Sequence, residues 1–327
     1  MAVLCVLCAV QRNWPCDDLI WTYFGNASLA ALDEVGEAAF KVQLYQCQMA
    51  QALVMTQTHS VMRLKNWAPA FPADGRRTTA AASANTFGII TWMLNEIWPT
   101  GGYGSLEYGQ AAEGSVVGGR WKPLHYLFRR TLFTDQFAAC SVAHGSWTKL
   151  LCGVVNDSPW KFTGVFTLTA VDLRSGQSTT LHSESLAMRA GAGVSEWRDL
   201  VLEKALQPPC TVLVAAIVNS SGAVVHENLM PLVSPEKMEL VAGANVTASV
   251  DGMVVTVSAD SPAMWVVLTT AAHGRFEDNA FLLIGKRRIN FIPFMPGQED
   301  ALRRTLRVEH LGGNQISAPQ RRPAASV

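Results

Sequence analysis

The stretch Gly88-Ile89-Ile90-Thr91-Trp92-Met93-Leu94-Asn95-Glu96-Ile97-Trp98-Pro99-Thr100-Gly101-Gly102-Tyr103 decides how this chain is read. Its first half is apolar and β-branched, which predicts a buried strand over 87–94. At Trp92-Met93-Leu94-Asn95 the strand gives way to a loop rich in Trp, Pro, Gly and Tyr, and Ser105-Leu106-Glu107-Tyr108-Gly109 continues it. Gly118-Gly119-Arg120-Trp121-Lys122-Pro123-Leu124-His125-Tyr126 then leads into a short helix, predicted over 122–132. A strand that opens into an aromatic, polar mouth suits a sugar subsite. An indole face stacks on the apolar face of a pyranose, and an asparagine both donates and accepts, which suits hydroxyl pairs. Trp92, Asn95, Trp98 and Tyr103 are therefore the candidate substrate-binding residues. The competing role for Trp92 and Trp98 is to plug the top of a core.

Working outward, the segment from Glu34 to Asn66 holds no proline, and no glycine after Gly36. Phe40, Leu44, Cys47, Leu53, Val54, Val61 and Leu64 recur at helical spacing, with Gln43, Gln46, Gln48, Gln51 and Gln57 as the polar side. This predicts one helix over 36–65. Residues 67–85 hold two prolines and an Asp-Gly-Arg-Arg turn, and read as a loop. A long helix, a connection and an apolar strand fit one α-to-β step of a (β/α)8 barrel.

From about residue 133 the texture changes. Short β-branched runs such as 150–155, 164–171, 179–186 and 210–218 alternate with turn residues, as in a β-sandwich. A second set runs 246–250, 253–259, 264–270, 280–283 and 288–292, with Asp251-Gly252 as a hairpin signal. The expected fold is α/β plus all-β. Its parts are a barrel segment over 1–132, an immunoglobulin-like sandwich over 133–236, a second sandwich over 237–311 and a disordered tail over 312–327.

Composition narrows the functions. The 327 residues are 49% hydrophobic and 16% charged, with formal net charge zero, which argues against nucleic acid as a partner. No stretch reaches membrane-spanning length, and the apolar start, Met1 to Val10, reads as an interior segment. Seven scattered cysteines in a chain this large do not make a disulfide scaffold, and Cys5-Val-Leu-Cys8 reads as buried thiols. The histidines show no paired spacing for a metal, and no cofactor is expected. Asn26, Asn156, Asn219 and Asn245 each head an Asn-x-Ser/Thr triplet, a mild pointer to a secretory or lysosomal lumen.

The Trp-x-Leu-Asn segment and the Arg120-Trp121-Lys122 motif resemble the end of the catalytic barrel in retaining β-mannosidases. These belong to the β-galactosidase/β-glucuronidase/β-mannosidase clan, glycoside hydrolase family 2. Leu44-Tyr45-Gln46-Cys47-Gln48-Met49-Ala50-Gln51-Ala52-Leu53 resembles the helix before the last barrel strand. Phe133-Thr134-Asp135 and Val155-Asn156-Asp157 resemble the entry to the first C-terminal sandwich, and Phe276-Glu277-Asp278-Asn279-Ala280-Phe281 a motif of the last one. Met93 and Tyr103 depart from the family's usual Gln and Trp, and 67–85 looks like an insertion.

The resemblance implies hydrolysis of a β-mannoside oligosaccharide by double displacement, which needs two carboxylates. Glu96 follows Asn95, and Asn-Glu is a familiar active-site dipeptide in the clan. In the family, however, that dipeptide lies mid-barrel, whereas this one follows the last strand. Glu96 and Glu107 are therefore assigned to loop positioning, and both catalytic carboxylates are expected upstream of Met1. The chain alone is then expected to be inactive, and either aggregation-prone or in need of a partner such as a missing N-terminal half. His125 is expected to pack the last helix onto the β-domain. Another clan activity, exo-glucosaminidase or endo-mannosidase, is a weaker reading. The alternative function is a non-catalytic remnant whose β-sandwiches bind carbohydrate or protein.

Overall fold

The computed structural model describes residues 16–31, 34, 36–64, 88–96, 102–107, 111–112, 115–116, 119–142, 146–190 and 195–316. Met1–Val10 with Cys5 and Cys8, the 67–85 segment, Trp98 and residues 317–327 lie outside them.

The chain opens with α1 (Cys16–Ala30), broken at Gly25, and α2 (Glu37–Leu64). Gly25 sits at φ 80°, a backbone conformation that favours glycine, with the movable Glu236 carboxylate against it. The helix expected at 36–65 forms, but its inner face is not the one the apolar residues mark. Gln43, Gln46 and Gln51 are buried, whereas Phe40 and Val61 are exposed. Each buried glutamine donates: Gln43 to Ala31 O, Gln46 to Ser28 Oγ and Asn314 O, and Gln51 to Tyr103 O, although Gln51 Oε1 has no partner among the described residues. These amides tie α2 to its neighbours, and burial without such partners would cost about 1–3 kcal/mol each. Cys16 and Cys47 form a disulfide between α1 and α2.

The strand expected over 87–94 is not present in residues 88–94. This segment makes no ladder; an isolated parallel bridge joins Asn95 to Leu106, which in turn bridges Trp121. A barrel strand needs hydrogen-bonded neighbours on both sides; among the described residues only Leu94, at the end of this segment, makes backbone hydrogen bonds, with Ser105 and Leu106. After the minimal pair β1 (Ala111–Ala112) and β2 (Ser115–Val116) comes α3 (Pro123–Thr131). Pro123 starts α3 where a missing N–H costs nothing, and Arg129 and Arg130 suit its negative C-terminal end.

The first sandwich packs β3 (Gln136–Val142), β4 (Lys149–Asn156) and β7 (Ser195–Val201) in the order β3-β4-β7. Against it lies β6-β5-β8-β9, from β5 (Phe162–Asp172), β6 (Ser178–Met188), β8 (Thr211–Asn219) and β9 (Val224–Pro231). Cys152, Val154, Phe166, Leu168, Leu213 and Ile217 fill the space between. Cys140 and Cys152, direct partners across β3 and β4, form a second disulfide. So four of the seven cysteines pair, in addition to an ample core rather than in place of one.

The second sandwich sets the sheet β10-β11-β15-β13 against β14-β12-β16. Its strands are β10 (Val246–Asp251), β11 (Val254–Ala259), β12 (Ala263–Thr269), β13 (Gly274–Phe276), β14 (Phe281–Leu283), β15 (Lys286–Pro293) and β16 (Arg307–Glu309), with α4 (Glu299–Thr305) before β16. The Asp251-Gly252 turn closes the β10–β11 hairpin, with Asp251 opposite Val254. The tail expected to be disordered from 312 is ordered through residue 316. Leu311–Asn314 form α5, whose last carbonyl accepts from Gln46 at 2.7 Å, and Gln315 donates to Pro235 O at 2.6 Å. Tertiary partners here override a glycine-rich sequence.

The helices dock into both sandwiches. One core joins Ile20, Phe24, Met49, Leu53, Leu124 and Phe128 to Val171, Val212 and Trp265. Tyr45 donates from its hydroxyl to Trp265 O at 2.8 Å. Arg63 reaches Thr131 O, Thr134 O and the Asp157 carboxylate, and stacks over Phe137. Arg130 binds Ala280 O, Asn279 O and Asp278, while the Tyr126 hydroxyl accepts from the Phe276 N–H.

Candidate functional site

The candidate mouth is built from residues 88–96, 102–107 and 119–126, and its anchor is a buried ion pair. Glu96 and Lys122 are both buried and their side chains are bonded to each other. Glu96 Oε2 also accepts from the N–H groups of Tyr103 (3.3 Å) and Gly104 (3.1 Å), and the Glu96 N–H donates to Leu106 O at 2.6 Å. One carboxylate thus clips the two limbs of the loop together. Burial pushes the Lys122 ammonium below its usual range, opposed by the Glu96 charge and hydrogen bond. Gly104 permits the approach: a Cβ there would stand 2.1 Å from the Asn95 carbonyl carbon, a backbone atom that cannot move aside.

A second layer lies beneath. The Leu94 carbonyl accepts from the Ser105 and Leu106 N–H groups and from the Ser105 hydroxyl (2.8 Å). With its one proton given to Leu94, the hydroxyl can only accept from His125, whose Nδ1 lies 3.1 Å away, so Nδ1 carries the imidazole proton. Burial lowers the His125 pKa to about 4. His125 packs against Trp121, Phe128 and Phe133. It therefore joins the mouth loop to α3 and to Phe133, the first residue of the segment expected to form the β-domain. Glu107 pairs with Arg120 across the strand-like contact, where the Glu107 N–H donates to Arg120 O.

The candidate binding residues divide. Trp92, joined to Met93 by a cis peptide bond, is 78% exposed. Asn95 is half-buried at the bridge to Leu106. Tyr103 is half-buried, with its carbonyl accepting from Gln51 and its N–H bonded to Glu96. Glu96 thus links Asn95, its chain neighbour, to Tyr103, whereas Trp92 stands out into solvent. Trp98 lies outside the described residues. Sequence reasoning missed Gln51, Ser105 and Lys122 as braces of the loop. Lys122 left a signal: a lysine set among Trp121, Pro123 and Leu124 needs an acidic partner, and the mouth offers Glu96 and Glu107.

Beside the mouth runs a groove of about 380 Å³, lined by Tyr45, Gln48, Glu107, Trp121, Tyr126 and Arg307 among others, and Trp92, Asn95 and Tyr103 do not line it. Among the described residues no group of three His, Cys, Asp or Glu is placed to hold a metal, and no helix is long and apolar enough to cross a membrane.

Comparison with known proteins bears directly on this arrangement. A family model for the immunoglobulin-fold domain of mannosidases matches residues 236–314. Goat β-mannosidase is 29% identical over 292 residues, and bovine β-mannosidase 27% over the same length. Each alignment covers 83% of this chain and 30% of the relative. Together they support a C-terminal part of a glycoside hydrolase family 2 β-mannosidase. Its homologues are glycoside hydrolases. The chain spans about a third of the length of these relatives. Solved structures show the same fold. A β-D-mannosidase from Dictyoglomus thermophilum superposes with TM-score 0.59 at 19% identity, over 86% of this chain and 31% of that one. An exo-chitosanase of Amycolatopsis orientalis superposes with TM-score 0.54 at 13% identity, over 90% and 35%. These likenesses support the immunoglobulin-like part and the mostly β architecture.

Proposed function

We propose that this chain is part of a retaining β-mannosidase that removes terminal β-linked mannose from oligosaccharides or glycoproteins. In this reading 1–132 belongs to a (β/α)8 barrel, braced by sandwiches over 133–236 and 237–311. Trp92, Asn95, Trp98 and Tyr103 form one wall of the sugar subsite. The observation that carries the reading is the pairing of an exposed indole with a rigid base. Trp92 is 78% exposed, on a segment whose foot is held by the buried Glu96–Lys122 pair. A fixed aromatic face of this kind offers stacking area at low ordering cost.

The reaction needs two carboxylates about 5–5.5 Å apart, one as acid/base and one as nucleophile. Glu96 is bonded to Lys122 and Glu107 to Arg120, so neither is left for this work. The pair is assigned to the part of the protein upstream of this chain. The test is hydrolysis of aryl glycosides by the full-length gene product. The β-mannoside should be preferred over the β-galactoside and β-glucuronide, and Trp92→Ala should lower kcat/KM by about tenfold or more, ~1.4 kcal/mol of transition-state binding. Preference for another glycoside would sink the substrate, and an unchanged Trp92→Ala would sink the wall.

The same two ion pairs also favour a second reading, a non-catalytic module that binds carbohydrate or protein. Saturable hydrolysis of an aryl β-mannoside by the isolated chain, abolished by Trp92→Ala, would rule it out.

A further inference from the structure

Four asparagines stand in Asn-x-Ser/Thr triplets, and the fold separates them sharply. Asn156 is 2% exposed. Its Nδ2 donates to Trp160 O and Arg189 O, both at 2.9 Å, and its Oδ1 accepts from Gln136 and from the Ser158 N–H. A sugar on that nitrogen would remove a donor and fill occupied space. Asn26 spends its Oδ1 on the Trp21 indole N–H, and the hydroxyl of its triplet, Ser28, is buried against Gln46. Asn219 holds the β8–β9 turn, with Oδ1 accepting from the Ser221 N–H, the Ser221 hydroxyl and the Ala223 N–H.

Asn245 differs on every count. It is exposed, one residue before β10, and its backbone N–H is fixed by Asp260 Oδ1 at 3.0 Å. Its side-chain amide has no hydrogen-bond partner among the described residues. Thr247, the hydroxyl of the triplet, is exposed on the same face of the strand. β10 is the edge of its four-stranded sheet, and its outward residues Thr247, Ser249 and Asp251 are polar and exposed. A glycan here would sit on the polar, exposed outer face of an edge strand, a place where sheets otherwise risk pairing with other chains. A second, independent feature points to the compartment where such modification occurs. Cys16–Cys47 and Cys140–Cys152 are disulfides, which form and persist in oxidising lumens and rarely in the cytosol.

We propose that Asn245 carries an N-linked glycan and that Asn156 does not. The donor class is an oligosaccharide on a polyprenyl diphosphate. Asn245 Nδ2 attacks C1 of the first sugar and loses one proton, while the C1–O bond breaks and its electron pair leaves with the diphosphate. This assignment is independent of the glycosidase reading.

The test is expression of the full chain behind a secretory leader, with a reporter triplet appended to the tail to prove entry into the lumen. Peptide N-glycosidase in heavy-oxygen water, followed by mass spectrometry, labels each formerly occupied asparagine. In reporter-glycosylated chain the Asn245 peptide should be labelled and the Asn156 peptide unlabelled. Asn245→Gln and Thr247→Ala should each remove one glycan step on a gel, while Thr247→Ser keeps it. An unlabelled Asn245 peptide in reporter-glycosylated chain would overturn the assignment, as would occupied Asn156 in soluble, folded protein.

Discussion

The second sandwich and the mouth segment use apolar residues in opposite ways. In the sandwich, Val255, Val257, Ile289 and Phe291 of one sheet meet Val266, Leu268, Phe281 and Leu283 of the other, all buried. Alternate residues of β11 and β15 turn outward and are mostly polar, while Met264, Trp265 and Val267 on the other face of β12 are buried in the core shared with the helices. In the mouth, Ile90, Trp92 and Leu94 are 99%, 78% and 57% exposed, while Glu96, Lys122 and Ser105 are buried. There the inside is polar and the outside apolar. The first region has its apolar faces covered from within the chain, by its own second sheet and by the helices, whereas the second is fixed in shape by polar braces while its apolar face stays open. That inversion is what a wall facing a ligand or further chain requires.

The largest effect that would sharpen this contrast comes from splitting the polar brace. Lys122→Met leaves Glu96 buried without its partner, and should destabilise the mouth region by about 3–5 kcal/mol. Adding Glu96→Gln removes the orphaned charge and should recover much of the loss. Urea melts followed by tryptophan fluorescence measure both. A Lys122→Met loss below about 1 kcal/mol would mean the pair behaves as an exposed one and does not hold the loop. The second sandwich has its own ionic brace, Asp278 held by Arg130 and Arg287, and neither change touches it.

The two regions were not equally legible in the sequence. Strands such as β11 and β15 show period-two alternation, and Asp251-Gly252 marks their neighbour's turn, so pattern and structure coincide. The extent of α2 was legible too, from the missing prolines and glycines between 37 and 64. Its inner face was not, because glutamine reads as polar surface until a partner carbonyl is known. Gln46 meets Asn314, far along the chain, and no local pattern carries that information. The apolar run before Asn95 failed for a related reason. Hydrophobicity states that a segment favours cover, but it does not say what covers it. Strand β7, Ser-Glu-Trp-Arg-Asp-Leu-Val, has too many charges to read as a strand without its partner β4.

A smaller effect follows from acid. Burial holds both His125 and His226 at about 4, below the usual 6.5. The unfolded chain therefore binds protons first as pH falls. Stability from each histidine is fully present above 6.5 and is lost progressively down to about 4, by up to about 3 kcal/mol per group. His125 lies under the mouth, whereas His226 donates from Nε2 to Ala138 O inside the first sandwich. Melting temperature against pH should fall over that window. His125→Gln should remove part of the fall, and a flat profile in both proteins would show that neither imidazole is shielded in solution.

The smallest expected effect on stability is also the most telling one for the comparison. Trp92→Ala should change the free energy of unfolding by no more than about 0.5 kcal/mol, because the indole is already in water when the chain is folded. The buried Trp265, enclosed at 2% exposure and accepting the Tyr45 hydroxyl bond at its carbonyl, gives the contrast. Trp265→Ala should cost about 3–5 kcal/mol through the cavity it leaves. If Trp92→Ala proved as costly as Trp265→Ala, Trp92 would be a core residue and the mouth no wall at all. If it is silent in the melt, Trp92 is held out for something other than folding. A silent melt combined with the lost kcat/KM expected above would then place its whole contribution in binding.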